Sequence, residues 1–115
     1  MKIADVHAHV FPEKLAVKAA GSIGQFYGTE MYCEASMERL VAEEEKAGVS
    51  RYVISSSAVV PKQVRSIVEF LAEARKGYPE CISFGSIYPG MDGYEEVLDE
   101  LQALGGYYYS LYTHQ

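Results

Sequence analysis

Cysteine is scarce in this chain, and only Cys33 and Cys81 occur among 115 residues. They are too far apart for a zinc knuckle or a Cys-x-x-Cys redox pair, so free thiols in a reducing cytoplasm are expected. Basic charge is also in deficit, with 10 Lys and Arg against 16 Asp and Glu and a net charge of −6. Nucleic acid needs a basic footprint, so it is not an expected partner. No apolar run approaches the roughly 18 residues of a membrane span, and membrane is not an expected partner either. Lys2 and Asp5 within the first five residues are unlike a secretory signal. Internal repeats and low-complexity runs are missing, apart from Tyr107-Tyr108-Tyr109.

What is present suits one compact domain over residues 1–115. Apolar residues make up 49% of the chain, enough to build a core. Lys2-Ile3-Ala4-Asp5-Val6 reads as a short buried strand. Pro12 suits the opening of a helix, where its missing N–H is no loss. Leu15, Ala16, Ala19 and Ile23 follow at helical spacing, and Gly24 and Gly28 are expected to end that helix. Ser36 can cap a second helix with Met37, Leu40 and Val41 inward and Gly48 closing it. Glu43-Glu44-Glu45 on this helix is read as a solvated face.

A second strand is expected at 51–55. Pro61 then opens the clearest amphipathic helix, with Val64, Ile67, Val68 and Leu71 on one side. Gly77 and Pro79 stop it. Residues 81–88 read as a third strand, turned by Pro89-Gly90. Val97, Leu98, Leu101 and Leu104 mark a fourth helix, ended by Gly105-Gly106, and residues 107–112 read as a fourth strand. Strands alternating with helices imply an α/β fold with right-handed crossovers and a parallel sheet. Active groups in such sheets sit at the C-terminal ends of the strands.

At the end of the first strand stands Asp5-Val6-His7-Ala8-His9. Residues two apart in a strand point the same way, so Asp5, His7 and His9 are expected on one face. Two neutral imidazoles so placed can hold a divalent ion, most simply zinc, at about 2.0–2.1 Å. Catalytic zinc has about three protein ligands and an open position, and it makes water a usable nucleophile near neutral pH. His7 and His9 supply two ligands. Asp5 lies deeper and could orient an imidazole. The competing structural reading is a pair of satisfied polar groups at a strand end.

The other polar candidates favour bland roles. His114 is the remaining histidine, either a further ligand or a frayed terminal residue. Ser55, Ser56 and Ser57 have no basic partner at a spacing that marks a nucleophile and are read as loop polar groups. Glu13 and Asp92 are read as helix-start charges. Residues 107–109 are read as a terminal strand of alternating burial, with an aromatic substrate wall as the alternative. No catalytic side chain beyond the two metal ligands is assigned.

The run Asp5-Val6-His7-Ala8-His9-Val10-Phe11-Pro12-Glu13-Lys14 resembles the opening of the amidohydrolase superfamily. In particular it resembles the amidohydrolase-related branch that includes aminocarboxymuconate-semialdehyde decarboxylase. The resemblance continues through Ala47-Gly48-Val49-Ser50-Arg51-Tyr52-Val53, Pro61-Lys62-Gln63-Val64 and Phe84-Gly85-Ser86-Ile87-Tyr88-Pro89, over about residues 1–106. It implies a partial (β/α)8 TIM barrel of about the first four strands, with His7 and His9 as first-strand metal ligands. It also implies a hydrolase or carboxy-lyase acting on a small-molecule carboxylate or cyclic amide. A full barrel needs about 250 residues. The family takes its other ligands from later strands, commonly a His and a final Asp. Two positions depart from the pattern, with Tyr88 where many relatives have His and Ser110 where relatives often have Lys. A histidinol-phosphatase-like barrel also opens with paired histidines, but calls for more His and Asp clusters than occur here.

A half barrel leaves sheet edges and an apolar face exposed, which favours association. The sequence-level expectations are an interrupted reading of a longer enzyme, a homo-oligomer formed through those edges, or a non-catalytic half-barrel serving as an interaction or regulatory module.

Overall fold

The computed structural model describes residues 1–58, 60–88 and 90–105, and the backbone of 107–110. Strands and helices alternate as β1 (Ile3–His9), α1 (Glu13–Tyr27), α2 (Met37–Ala47), β2 (Val49–Ser55), α3 (Gln63–Gly77), β3 (Cys81–Ile87) and α4 (Tyr94–Ala103). β1, β2 and β3 form a parallel sheet in sequence order. The backbone of Tyr107–Ser110 is extended and runs parallel beside β3, with Phe84 opposite Tyr107. Residues 111–115, including Tyr112 and His114, lie outside the described residues. The side chains of Tyr107, Tyr108, Tyr109 and Ser110 are likewise outside them. No helix among the described residues is long and apolar enough to cross a membrane.

The helices follow their local signals closely. Ser36 caps α2 by accepting a hydrogen bond from the Arg39 N–H at 3.2 Å. Gly48 ends the same helix at φ 74°, a left-handed conformation that a side chain would strain. α1 runs through Gly24 and stops at Gly28, so only one of the two expected terminators acts. Gly24 has a different reason to be glycine. A Cβ there would lie 2.7 Å from the Thr29 carbonyl oxygen, because the chain folds back against the helix.

α3 buries Val64, Ile67, Val68 and Leu71, the four residues of its predicted stripe. Ile67 and Leu71 join Val10, Met37, Tyr52, Ile54 and Cys81 in the main core cluster. Val64 and Val68 pack with Val97 and Leu101 of α4. Each such side chain removed from water contributes roughly 1.5–3 kcal/mol before entropy is counted. Leu104 was read with Val97, Leu98 and Leu101 as marking the last helix, but it lies at the C-cap and stays exposed. The stripe ends there because the helix does. Arg75 of α3 donates to the Leu104 carbonyl at 2.8 Å, satisfying a group that the helix end leaves open.

Apolar burial in β2 and β3 is concentrated on one face of the sheet. Tyr52 and Ile54 of β2, and Cys81 and Ser83 of β3, are buried on the face that the core clusters cover. Their alternating neighbours Val53 and Ile82 pair across the strands on the other face, where Ile82 is 43% exposed. α1 is the least covered helix. Val17, Phe26 and Tyr27 are each more than two-thirds exposed.

β1 does not keep the simple alternation read from its sequence. Asp5 lies opposite Tyr52 and Ala8 opposite Ile54, so three steps along β1 match two along β2. The irregularity is a bulge, and it reverses the facing of everything after it. Asp5 therefore sides with Tyr52 and the helices, and so do Ala8 and Val10, both buried. His7 and His9 turn to the open face. The expectation that Asp5 shares a face with the histidines is corrected by this extra residue.

Candidate metal centre

The strand is longer than expected, so His7 and His9 lie within β1, with His9 its last residue. Both are exposed. Their Nε2 atoms are 3.0 Å apart, and the rings meet edge to face with centroids 4.9 Å apart. Four nitrogens around a tetrahedral zinc at 2.0–2.1 Å are spaced about 3.3 Å from one another. The two imidazoles are thus close to the separation of two ligands on one ion.

A third side chain orients one of them. Ser55 ends β2 directly opposite His9, and its Oγ is 3.2 Å from His9 Nδ1. When the Nδ1–H donates to this hydroxyl, His9 Nε2 keeps a lone pair, and His7 Nε2–H can donate to it. A metal ion would occupy the place of that shared proton. Desolvation of the ring by the atoms packed around it, and then the proximity of His7, lower the His9 pKa from its ordinary value, so the ring favours the neutral form that ligates.

Ser55 was read from sequence as a loop residue. It is a buried strand residue beside the histidine pair. The available signal was positional: in a parallel pair the last residues of adjacent strands stand side by side, and both strands end in polar residues. Ser56 is also buried, and its hydroxyl finds no partner among the described residues. Ser57 lies beyond the strand, as expected of a loop group.

Asp5 does not reach an imidazole. One of its carboxylate oxygens, Oδ1, accepts the main-chain N–H of His7 at 2.8 Å, tying together the two sides of the bulge. On the helix side it faces Glu44 of α2, which is 7% exposed. Burial first, then the hydrogen bond and negative charge of Asp5, raise the Glu44 pKa. The Glu43-Glu44-Glu45 run is therefore not a uniform solvated face. Its central member turns inward, while Glu43 pairs outward with Arg39 at 3.0 Å and Lys46 at 3.1 Å.

Among the described residues, no third His, Cys, Asp or Glu joins the histidines in a metal-binding group. No family model, curated protein or solved structure matches this chain. The candidate site thus consists of His7, His9 and Ser55. Glu13 lies in the first turn of α1, where its charge suits the helix dipole. Asp92 is exposed and precedes the Gly93 cap of α4. Tyr88 is half-buried and packs against the Val64, Val68, Val97 and Leu101 cluster, a role that accounts for an aromatic residue there.

Proposed function

We propose that β1 carries part of a divalent-metal site, with His7 and His9 as ligands and zinc as the preferred ion. The observation that supports this most is the convergence of the two Nε2 atoms at 3.0 Å on an open strand end. The sequence likeness to amidohydrolase-related enzymes points in the same direction. On that reading the chain is a portion of a TIM-barrel hydrolase or carboxy-lyase of the cytoplasm. Its substrate is a small carboxylate or cyclic amide.

The chain's own residues have distinct tasks in this scheme. Ser55 holds the His9 ring by its Nδ1 and leaves Nε2 directed outward. The Asp5 carboxylate fixes the main chain at His7. A bound zinc ion would supply Lewis acidity toward a substrate carbonyl or carboxylate. A binding module without catalysis is the second reading, favoured by the ligand count among the described residues and by the exposed Ile82 beside the half-buried Val53 on the open face.

Competition against a chromophoric zinc chelator tests the site. Zinc uptake is expected in the native chain and lost in His7→Ala and His9→Ala. Uptake that is indifferent to both substitutions would refute it. Ring opening of a cyclic amide, or release of carbon dioxide from a small carboxylate, separates the enzyme from the binding module.

A further inference from the structure

We infer that the histidine pair completes its zinc coordination with a second copy of this chain, as a two-fold dimer holding one ion through His7 and His9 of each protomer. The inference rests on the metal-site reading above and extends it by naming where the missing ligands come from.

Ligand count carries the first step. Zinc takes four ligands in closed sites, and two imidazoles leave it underbound. No third ligand is present among the described residues. A two-fold axis through the ion supplies two more nitrogens of the same kind, which gives a tetrahedral set of four imidazoles. Two-fold interfaces are self-complementary, so a single pair on each copy is sufficient.

Position carries the second step. Among the described residues β1 pairs with β2 alone and is an edge of the sheet. His9 is its final residue, and both rings are exposed. No helix from the core-covered face stands in front of them, because the bulge turns them to the opposite side. Each protomer also presents Val53 and the 43% exposed Ile82 on that open face. Apolar surface next to the ion would be covered as the copies approach.

Charge carries the third step. Each chain has a net charge of −6, so two copies repel in the absence of metal. Association should therefore depend on the ion rather than precede it.

Sedimentation velocity of the full 115-residue chain, with zinc chloride added stepwise and then removed by EDTA, tests the inference. The expected result is a monomer that doubles in mass with one zinc per two chains and returns to monomer with EDTA. His7→Ala and His9→Ala each abolish the doubling while retaining the native circular dichroism spectrum. Cobalt(II) offers a second measurement on the native chain, should a substitution disturb folding. Its tetrahedral absorption bands are expected to saturate at half an equivalent. Zinc bound one to one by a chain that stays monomeric would overturn the dimer and leave the two-ligand site standing. No zinc uptake at all would overturn both. Dimerisation without zinc, or zinc-driven dimerisation that survives loss of either histidine, would also overturn the inference.

Discussion

Replacing Gly85 with alanine tests how tightly α4 is seated on β3. Gly85 is buried on the helix-facing side of β3, and a Cβ there would lie 2.6 Å from Leu101 Cδ2, 2.9 Å from Cδ1 and 3.3 Å from Cγ. Carbon atoms in contact normally stay about 3.5–4.0 Å apart, so Leu101 would have to retreat by roughly 1 Å. Leu101 is 3% exposed and, with Val97, forms the buried anchor of α4, which leaves it little free volume to enter. Overpacking of this kind costs about 1–3 kcal/mol. Removing a glycine from a strand interior offsets roughly 0.5–1 kcal/mol of that, for a net loss of about 0–2.5 kcal/mol. Leu101→Ala alone opens a cavity and should cost about 2–5 kcal/mol. In the double variant the new methyl enters that cavity, so the combined loss should fall short of the sum by at least about 1 kcal/mol. Urea unfolding followed by circular dichroism measures all four corners of the cycle, provided that the m-value stays constant. A stabilising Gly85→Ala, or additivity within about 0.5 kcal/mol, would refute the close seating. Zinc uptake should not change in Gly85→Ala, because the histidines occupy the opposite face of the sheet.

Three further outcomes are expected. Ser55→Ala removes the hydroxyl that orients His9 and should weaken zinc binding by about 10–100-fold in a chelator competition; unchanged affinity would show that the ring holds its orientation without help. Glu44→Gln should raise the urea midpoint at pH 7. A raised folded-state pKa means that the ionised carboxyl opposes folding above that pKa, and the penalty fades as pH falls toward the ordinary value of 4.5, so the advantage of glutamine should vanish below it; an advantage of equal size at pH 4 would contradict this. Burial lifts the Cys81 thiol to about 11, so at pH 8 only about one molecule in a thousand carries the reactive thiolate there. In native protein Cys81 should therefore be the slower of the two thiols toward a disulfide reagent, with rapid reaction appearing only in denaturant; mass mapping that finds Cys81 modified before Cys33 would reject its buried placement.

The features legible in the sequence are those with an unbroken period. Val64, Ile67, Val68 and Leu71 recur at helical spacing and all four are buried. Ser36 and Gly48 bracket α2 through local chemistry that needs no tertiary partner. β1 was misread because a period of two holds only while the strand contains no extra residue, and nothing in Asp5-Val6-His7 announces a bulge. The inward turn of Glu44 escaped for a related reason: three adjacent glutamates look alike in sequence, and only the helix's rotation against β1 picks out the middle one. Ser55 depends on the register between two strands 46 residues apart, which is a property of the pairing and not of either segment.

The bulge in β1 also divides the strand into two mutational territories. Before the bulge, a substitution at Asp5 is felt on the helix side, where Glu44 and Tyr52 lie. From His7 onward, every second residue belongs to the open face and can change its chemistry without disturbing the buried layer. Only Ala8 and Val10, interleaved between and after the histidines, still answer to the core. A lineage carrying this strand could exchange its open-face side chains at little cost to folding. It could equally rebuild the layer beneath them while the imidazoles kept their place.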